Sequence, residues 1–172
     1  MTAFRILAGY RPGLIGRVSE MHGDYYHRHW GFGLYFEAKV ATEMAAFFNR
    51  YDKARDGLWA AVVRNRVEGA IVIDGRDASG AGAHLRWFIV SDGLRGQGAG
   101  NSLMQTAMDF CRGKRYPVVY LWTFEGLAVA RHLYDKHGFI LAEQHRGDQW
   151  GTTVTEQRFE RRFHLPSDRN PA

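Results

Sequence analysis

Residues 85–112, LRWFIV-SDGLRGQGAG-NSLMQTAMDFCR, decide how this chain folds. Residues 85–90 are apolar, aromatic and β-branched, the composition of a buried strand. From Asn101 onward Leu103, Met104, Ala107, Met108 and Cys111 recur at helical spacing and give a helix one apolar face. Between strand and helix lies Arg95-Gly96-Gln97-Gly98-Ala99-Gly100, with three glycines in six residues. The first amides of a helix have no intrahelical partner and carry partial positive charge. Glycines let an anion approach close enough to use them. The stretch therefore reads as a strand–loop–helix cradle for a pyrophosphate, with Arg95 adding a full positive charge. The plainer alternative is a strand–turn–helix corner whose glycines serve tight packing.

Outward from the cradle, strands lead into it and away from it. Residues 58–64 and 67–74 are β-rich and joined at Asn65-Arg66, which suggests a hairpin. The GRDASGAG segment, residues 75–82, reads as an exposed loop before the strand at 83–90. Three strands joined by short loops make an antiparallel meander. After the helix, residues 116–123 form a strand, and a strand–helix–strand crossover makes it the parallel neighbour of residues 85–90. A helix over 125–137 carries Leu127, Ala130, Leu133 and Tyr134 on one side and stops at Gly138. Strands at 139–144 and 153–163 close the sheet. Upstream, a strand at 4–10 precedes helices over 14–26 and 34–48. The first turns Leu14, Ile15, Val18 and Met21 inward; the second, Phe36, Val40, Met44, Phe47 and Phe48.

The bounds are simple. A chain of 172 residues is long enough for one core and short for two. We expect one domain over 1–164 and a flexible tail over 165–172, which is polar with two prolines. The one cysteine, Cys111, falls on a core face and makes no internal disulfide, which suits a reducing compartment. No apolar run approaches the roughly 18 residues of a membrane span, so a cytoplasmic protein is expected. The formal net charge of +5 favours an anionic ligand. His22, His27 and His29 lack metal-ligand spacing, so no metal is expected. The aromatic segment around them, residues 22–36, reads as core or lid packing beside a substrate.

Neither a Rossmann G-x-G-x-x-G nor a Walker A loop fits the cradle. The string instead fits R-x-x-G-x-G/A through Arg95, Gly98 and Gly100, directly after a strand. That pattern resembles the acetyl-CoA signature of the GNAT N-acetyltransferases. A second marker agrees: Ala130, Leu133-Tyr134 and Gly138-Phe139 match A-x-x-L-Y-x-x-x-G-F. The element order, β-α-α-β-β-β-α-β-α-β-β, is also that of the family. The resemblance implies an α/β fold with a mixed, mostly antiparallel sheet flanked by helices, and a central parallel strand pair splayed to bind the cofactor. More narrowly, the chain is similar to the acetyltransferase half of proteins that fuse a MarR-type regulator to such a domain, here with no DNA-reading half expected in front.

The resemblance also implies site roles. Acetyl-CoA is the expected cofactor, with Phe88, Ile89 and Val90 giving main-chain contacts to its pantetheine arm. Arg95, Gly96, Gln97, Gly98, Ala99 and Gly100 would hold its pyrophosphate, and Leu127 and Ala130 would lie beside it. Leu127 departs from the asparagine frequent in the family and removes one polar contact. An amide near Ile89 or Val90 would face the developing oxyanion. Tyr134 falls on the position of the acid that protonates the departing thiolate. His84 and Glu37 are the candidate bases for the incoming amine.

The favoured activity is acetyl transfer to a primary amine of a small molecule or a lysine, by direct attack. The alternative is a non-catalytic acyl-CoA-binding or regulatory module. A nucleic-acid binder is disfavoured because the basic residues are scattered, with no basic helix. No membrane or nucleic-acid partner is expected, and nothing in the sequence opposes a homodimer.

Overall fold

A computed structural model of the protein describes residues 2–164. The strands are β1 Arg5–Ala8, β2 Gly57–Val63, β3 Arg66–Asp74, β4 Ala83–Val90, β5 Val118–Phe124, β6 Ile140–Gly147 and β7 Val154–Arg162. The helices are α1 Leu14–Trp30, α2 Leu34–Asn49, α3 Ala99–Gly113 and α4 Ala128–Lys136, with a short 3-10 turn at Asp92–Leu94. One sheet runs in the order β1-β2-β3-β4-β5-β7-β6. Its neighbours are antiparallel except β4 and β5, which are parallel. The mixed, mostly antiparallel α/β fold expected from the sequence is the one observed. The β2–β3 hairpin turns through Arg64 and Asn65, both at positive φ (45° and 68°), the geometry whose twist matches the flanking strands.

The sheet buries both faces. α3 lays Leu103, Met104, Ala107, Met108 and Cys111 on one face, against Ile71, Ile73, Leu85 and Phe159. α1 and α2 cover the other face with Leu14, Val18, Val40, Met44 and Phe47, over Leu58, Val72 and Trp87. Each such side chain contributes roughly 1.5–3 kcal/mol on leaving water. Most residues of the helical stripes read from periodicity are buried, while Ile15, Phe48, Leu127, Ala130 and Leu133 are half-buried. No helix among the described residues is long and apolar enough to cross a membrane. The tail expected over 165–172 lies outside the described residues.

Several boundaries differ from the sequence expectation, two of them at helices beside the site. Periodicity ends the first helix near Tyr26, whereas α1 continues to Trp30 and stops at left-handed Gly31, whose N–H bonds to the His27 carbonyl at 3.0 Å. The three histidines therefore lie within the helix. The later helix begins at Ala128 rather than Glu125, because β5 runs on to Phe124 and Leu127 takes the cap position.

His22 is buried on α1. Its Nδ1 donates to the Val18 carbonyl at 2.9 Å and its ring stacks on Tyr26. Burial pulls its pKa from 6.5 to about 4. His84 is likewise pulled to about 3, by burial and then by the Arg86 charge. In both cases the unfolded imidazole binds a proton first as pH falls. Their contribution to stability is intact above pH 6.5 and is lost on the way down to about 4 and 3. We expect the urea midpoint to drop across that window, with His22 accounting for roughly 3 kcal/mol. A His22→Gln variant should flatten this limb; a wild-type midpoint constant from pH 6.5 to 4 would contradict the assignment.

Candidate active site

The site originates in a bulge. Along β4, Ile89 and Val90 pair with Ala70 and Gly69, and Arg86 pairs with Val72, so Trp87 and Phe88 together oppose Ile71. Trp87 takes φ 46°, a costly conformation for a bulky residue. It is held there by the Arg86 guanidinium 4.1 Å over its ring and by the edge of Phe47. The extra residue exchanges the two faces of the strand. Before it, Ala83 and Leu85 point into the α3 core; after it, Trp87 and Ile89 point toward α1 and α2. Phe88 and Val90 now pack on the α3 side.

The same bend parts β4 from β5. Their pairing consists of Ala83 with Val119 and His84 with Tyr120. Beyond that point an open cleft with a volume of about 150 Å³ separates them, with Arg86, Trp87 and Phe88 on one wall and Trp122, Thr123 and Phe124 on the other. α1 and α2 supply its roof through His22, Tyr26, Phe36, Lys39 and Glu43. Gln149 and Trp150 close one side from the β6–β7 loop, and Tyr134 reaches in from α4.

The cradle abuts this cleft. A Cβ on Gly100 would touch Leu133, Phe88 and Val90 at 3.5–3.7 Å, so the start of α3 stands directly against the Phe88 wall. Gly98, at φ 86°, forms the α3 cap without any side-chain hydrogen bond. Among the described residues no acceptor takes the amides of Gly98, Ala99, Gly100 or Asn101, as the first turn of a helix requires. Gly96 and Gly98 are both left-handed, and the positions a Cβ would occupy there are open space. An anion fits over this loop where a side chain would otherwise stand. The Gln97 amide differs: it donates to the Leu94 carbonyl at 3.2 Å. The Gln97 side chain donates to the Gly93 carbonyl and accepts the Thr2 amide, bracing the loop. Arg95 is also engaged. It donates from Nε to the Val90 carbonyl at 3.2 Å, pairs with Asp92 at 2.8 Å and stacks 4.0 Å over Tyr25.

Tyr134 is buried between Phe139 and Phe159, and burial pushes its phenol above the usual range. It therefore carries its proton at any physiological pH and faces the cleft as a donor. The Tyr26 phenol is pushed up as well, first by burial and then by the nearby Tyr134.

The two candidate bases separate. His84 lines the closed end of the cleft, stacked on Tyr120 at 4.4 Å. Glu37 lies exposed on α2 beside Gly23 of α1 and is not in the cleft lining. Ala130 packs toward the α3 core, whereas Leu127 joins the cluster under α1 and α2. Sequence reasoning missed His22, Tyr26 and Gln149 as lining residues; Gln149 and Trp150 come from the β6–β7 loop. That loop is fixed by Glu156, a buried carboxylate on β7, which accepts the Gln149 amide at 2.9 Å and its side-chain amide at 2.7 Å. The dense aromatic run at 22–36 was the available signal for the first two.

Comparison with known proteins agrees with this geometry. The family model for the acetyltransferase (GNAT) family matches residues 18–139. The chain belongs to that family. Solved structures share its fold. An acetyltransferase of the GNAT family from Staphylococcus aureus superposes with a TM-score of 0.70 at 16% identity, covering 93% of this chain and 99% of that one. A ribosomal-protein-alanine N-acetyltransferase from Brucella melitensis gives 0.72 at 14% identity, covering 92% and 99%. A candidate streptothricin acetyltransferase from Bacillus anthracis, solved in complex with acetyl coenzyme A, gives 0.56 at 20% identity, covering 67% and 68%. No curated protein matches the chain.

Proposed function

We propose that the protein is an acetyl-CoA-dependent N-acetyltransferase that acetylates a primary amine by direct attack. One observation carries the reading: β4 and β5 pair over two positions and then diverge around a cleft that holds a protonated tyrosine and whose Phe88 wall stands against the start of α3. Acetyl-CoA supplies an activated acyl thioester to such a cleft.

The residues divide the work. The amides of Gly98, Ala99, Gly100 and Asn101 bind the diphosphate, aided by the dipole of α3. Arg95 joins them by giving up Asp92 or Tyr25. The parted edge of β4 over Phe88, Ile89 and Val90 offers main-chain groups to an extended amide-bearing arm. An N–H near Ile89 or Val90 meets the charge that develops on the acyl oxygen. Tyr134 gives a proton or a hydrogen bond to the departing sulfur. Water is left as the first acceptor for the amine proton: burial and then the Arg86 charge make His84 a weak base, and Glu37 has no place in the cleft to serve. The likeness to the acetyltransferase half of MarR fusions belongs to this proposal as well.

The test is release of free thiol from acetyl-CoA on adding a panel of amines, with calorimetric binding of coenzyme A in parallel. Binding without thiol release across the panel would favour the non-catalytic acyl-CoA-binding module. A second measurement addresses the acceptor side. In Glu156→Gln one carboxylate oxygen becomes an N–H facing the donors of Gln149. The loop should loosen, raising the acceptor KM about five- to tenfold, the weight of one to two hydrogen bonds, while KM for acetyl-CoA stays unchanged. Equal changes in both constants would show that Glu156 does not act through the acceptor side.

A further inference from the structure

The charge lining the cleft selects the kind of amine it accepts. Two cations face it, Lys39 on α2 and Arg86 on β4, and one carboxylate, Glu43. Glu43 is already spent on both. One of its oxygens takes Lys39 at 2.6 Å and the other takes Arg86. Asp74 lies 3.7 Å from Arg86 but is held on both oxygens by Arg50 and on one by the Arg76 amide. Counting Arg50 with Asp74 leaves the balance unchanged: the side chains that line the cleft carry one positive charge in excess, and Glu156, behind the β6–β7 loop, has both oxygens taken by Gln149. The two histidines that face it, His22 and His84, are neutral and add nothing to it.

The remaining lining is aromatic. Tyr26 and Phe36 stand above, Trp122 and Phe124 stand opposite, and Trp150 closes the side. Such walls place a large apolar body and gain from its burial. A molecule with several ammonium groups would meet Lys39 and Arg86 with no free carboxylate to receive it. A molecule with one amine and one carboxylate brings the charge that this wall lacks. Arg86 and Lys39 can then share that carboxylate with Glu43 at the cleft surface, where their side chains retain 19% and 28% exposure.

We infer that the acceptor is an amine that also carries a carboxylate on a large apolar or aromatic body, an amino-acid-like molecule, with Arg86 and Lys39 as its carboxylate-binding residues. This rests on the N-acetyltransferase reading above and narrows its acceptor. It disfavours polyamines and lysine side chains flanked by basic residues.

The experiment compares acids with their decarboxylated counterparts. Thiol release from acetyl-CoA is measured with L-tryptophan against tryptamine, L-phenylalanine against phenethylamine, and spermidine as the polycation. We expect kcat/KM for each acid to exceed that of its amine by about tenfold or more, the value of one charge-assisted hydrogen-bonded contact. Spermidine should be the poorest of the set. Lys39→Met and Arg86→Met should both shrink the acid-to-amine ratio, through KM of the acid, while KM of the amine changes little. Arg86→Met strips Glu43 of one partner and risks the fold, so Lys39→Met, at a more exposed site, keeps the test decisive. An amine or spermidine that reacts as well as the acids, or a ratio unmoved in Lys39→Met, overturns the acceptor assignment and leaves the acetyltransferase standing. Folded protein that releases no thiol with any member of the panel overturns both.

Discussion

Replacing Tyr134 by phenylalanine should lower kcat by about a hundredfold or more, the lower end of what a positioned general acid contributes, while KM for acetyl-CoA stays within about twofold. The ring is locked between Phe139 and Phe159, and the hydroxyl takes no part in that packing. Its only resolved influence is burial, which keeps the proton on the oxygen. Removing the hydroxyl therefore subtracts a donor from the cleft without opening a cavity in the core, and thermal stability should be nearly unchanged. A group used only as sulfur leaves should appear in kcat and in kcat/KM equally. With poor leaving groups the defect should grow, and with an activated thioester such as an aryl thiol ester it should shrink. Wild-type kcat in Tyr134→Phe would reduce Tyr134 to a packing residue, and a lowered melting temperature with lost activity would show the same by another route.

The fold was legible wherever a local pattern carries it. The stripes of α2 and α3 recur at helical spacing, and those residues, half-buried Phe48 apart, are the buried ones. The cradle was legible because it needs particular backbone conformations, which only glycine adopts cheaply, and it leaves them in the sequence as Gly96 and Gly98. The bulge at Trp87 left no such trace. Bulges arise from the register between β3 and β4, a long-range property, and a tryptophan at positive φ is what local composition argues against. Yet the bulge parts the central strands and sets which side chains of β4 face the cleft.

The acceptor side was the least legible for the same reason. His22 comes from α1, Arg86 from β4 and Trp150 from a loop some sixty residues further on, and only the folded sheet brings them to one cavity. His22 read as a histidine without metal-ligand spacing; its Nδ1 bonds to the Val18 carbonyl, and its ring borders the cleft. Glu37 looked usable from its place off the apolar stripe; a helix face two turns wide cannot show that the cleft opens at Lys39 and Glu43 instead. One helix position separates a residue that lines a site from one that packs on a neighbouring helix.

The largest single effect is expected at the cradle, from a pair of small substitutions with opposite outcomes. Gly98→Val should abolish measurable binding of coenzyme A, whereas Gly100→Ala should retain it within about threefold. At Gly98 the backbone is left-handed, and a β-branched side chain there costs on the order of 1–2 kcal/mol in backbone strain alone. Its branches would also stand in the open space above the amides of Ala99 and Gly100, where a diphosphate must sit to accept from them. Losing two charge-assisted bonds at roughly 1.5–3 kcal/mol each corresponds to at least a hundredfold in affinity. At Gly100 the new methyl group meets Leu133, Phe88 and Val90 at 3.5–3.7 Å, ordinary contact distances, and points away from that space into an apolar corner. Alanine also favours the helix that starts there. Calorimetry of both variants at low ionic strength, with circular dichroism to confirm the fold, separates the outcomes. If Gly98→Val binds as well as wild type, the anion is not held by these amides; if Gly100→Ala fails as badly as Gly98→Val, the loop serves close packing and not the diphosphate.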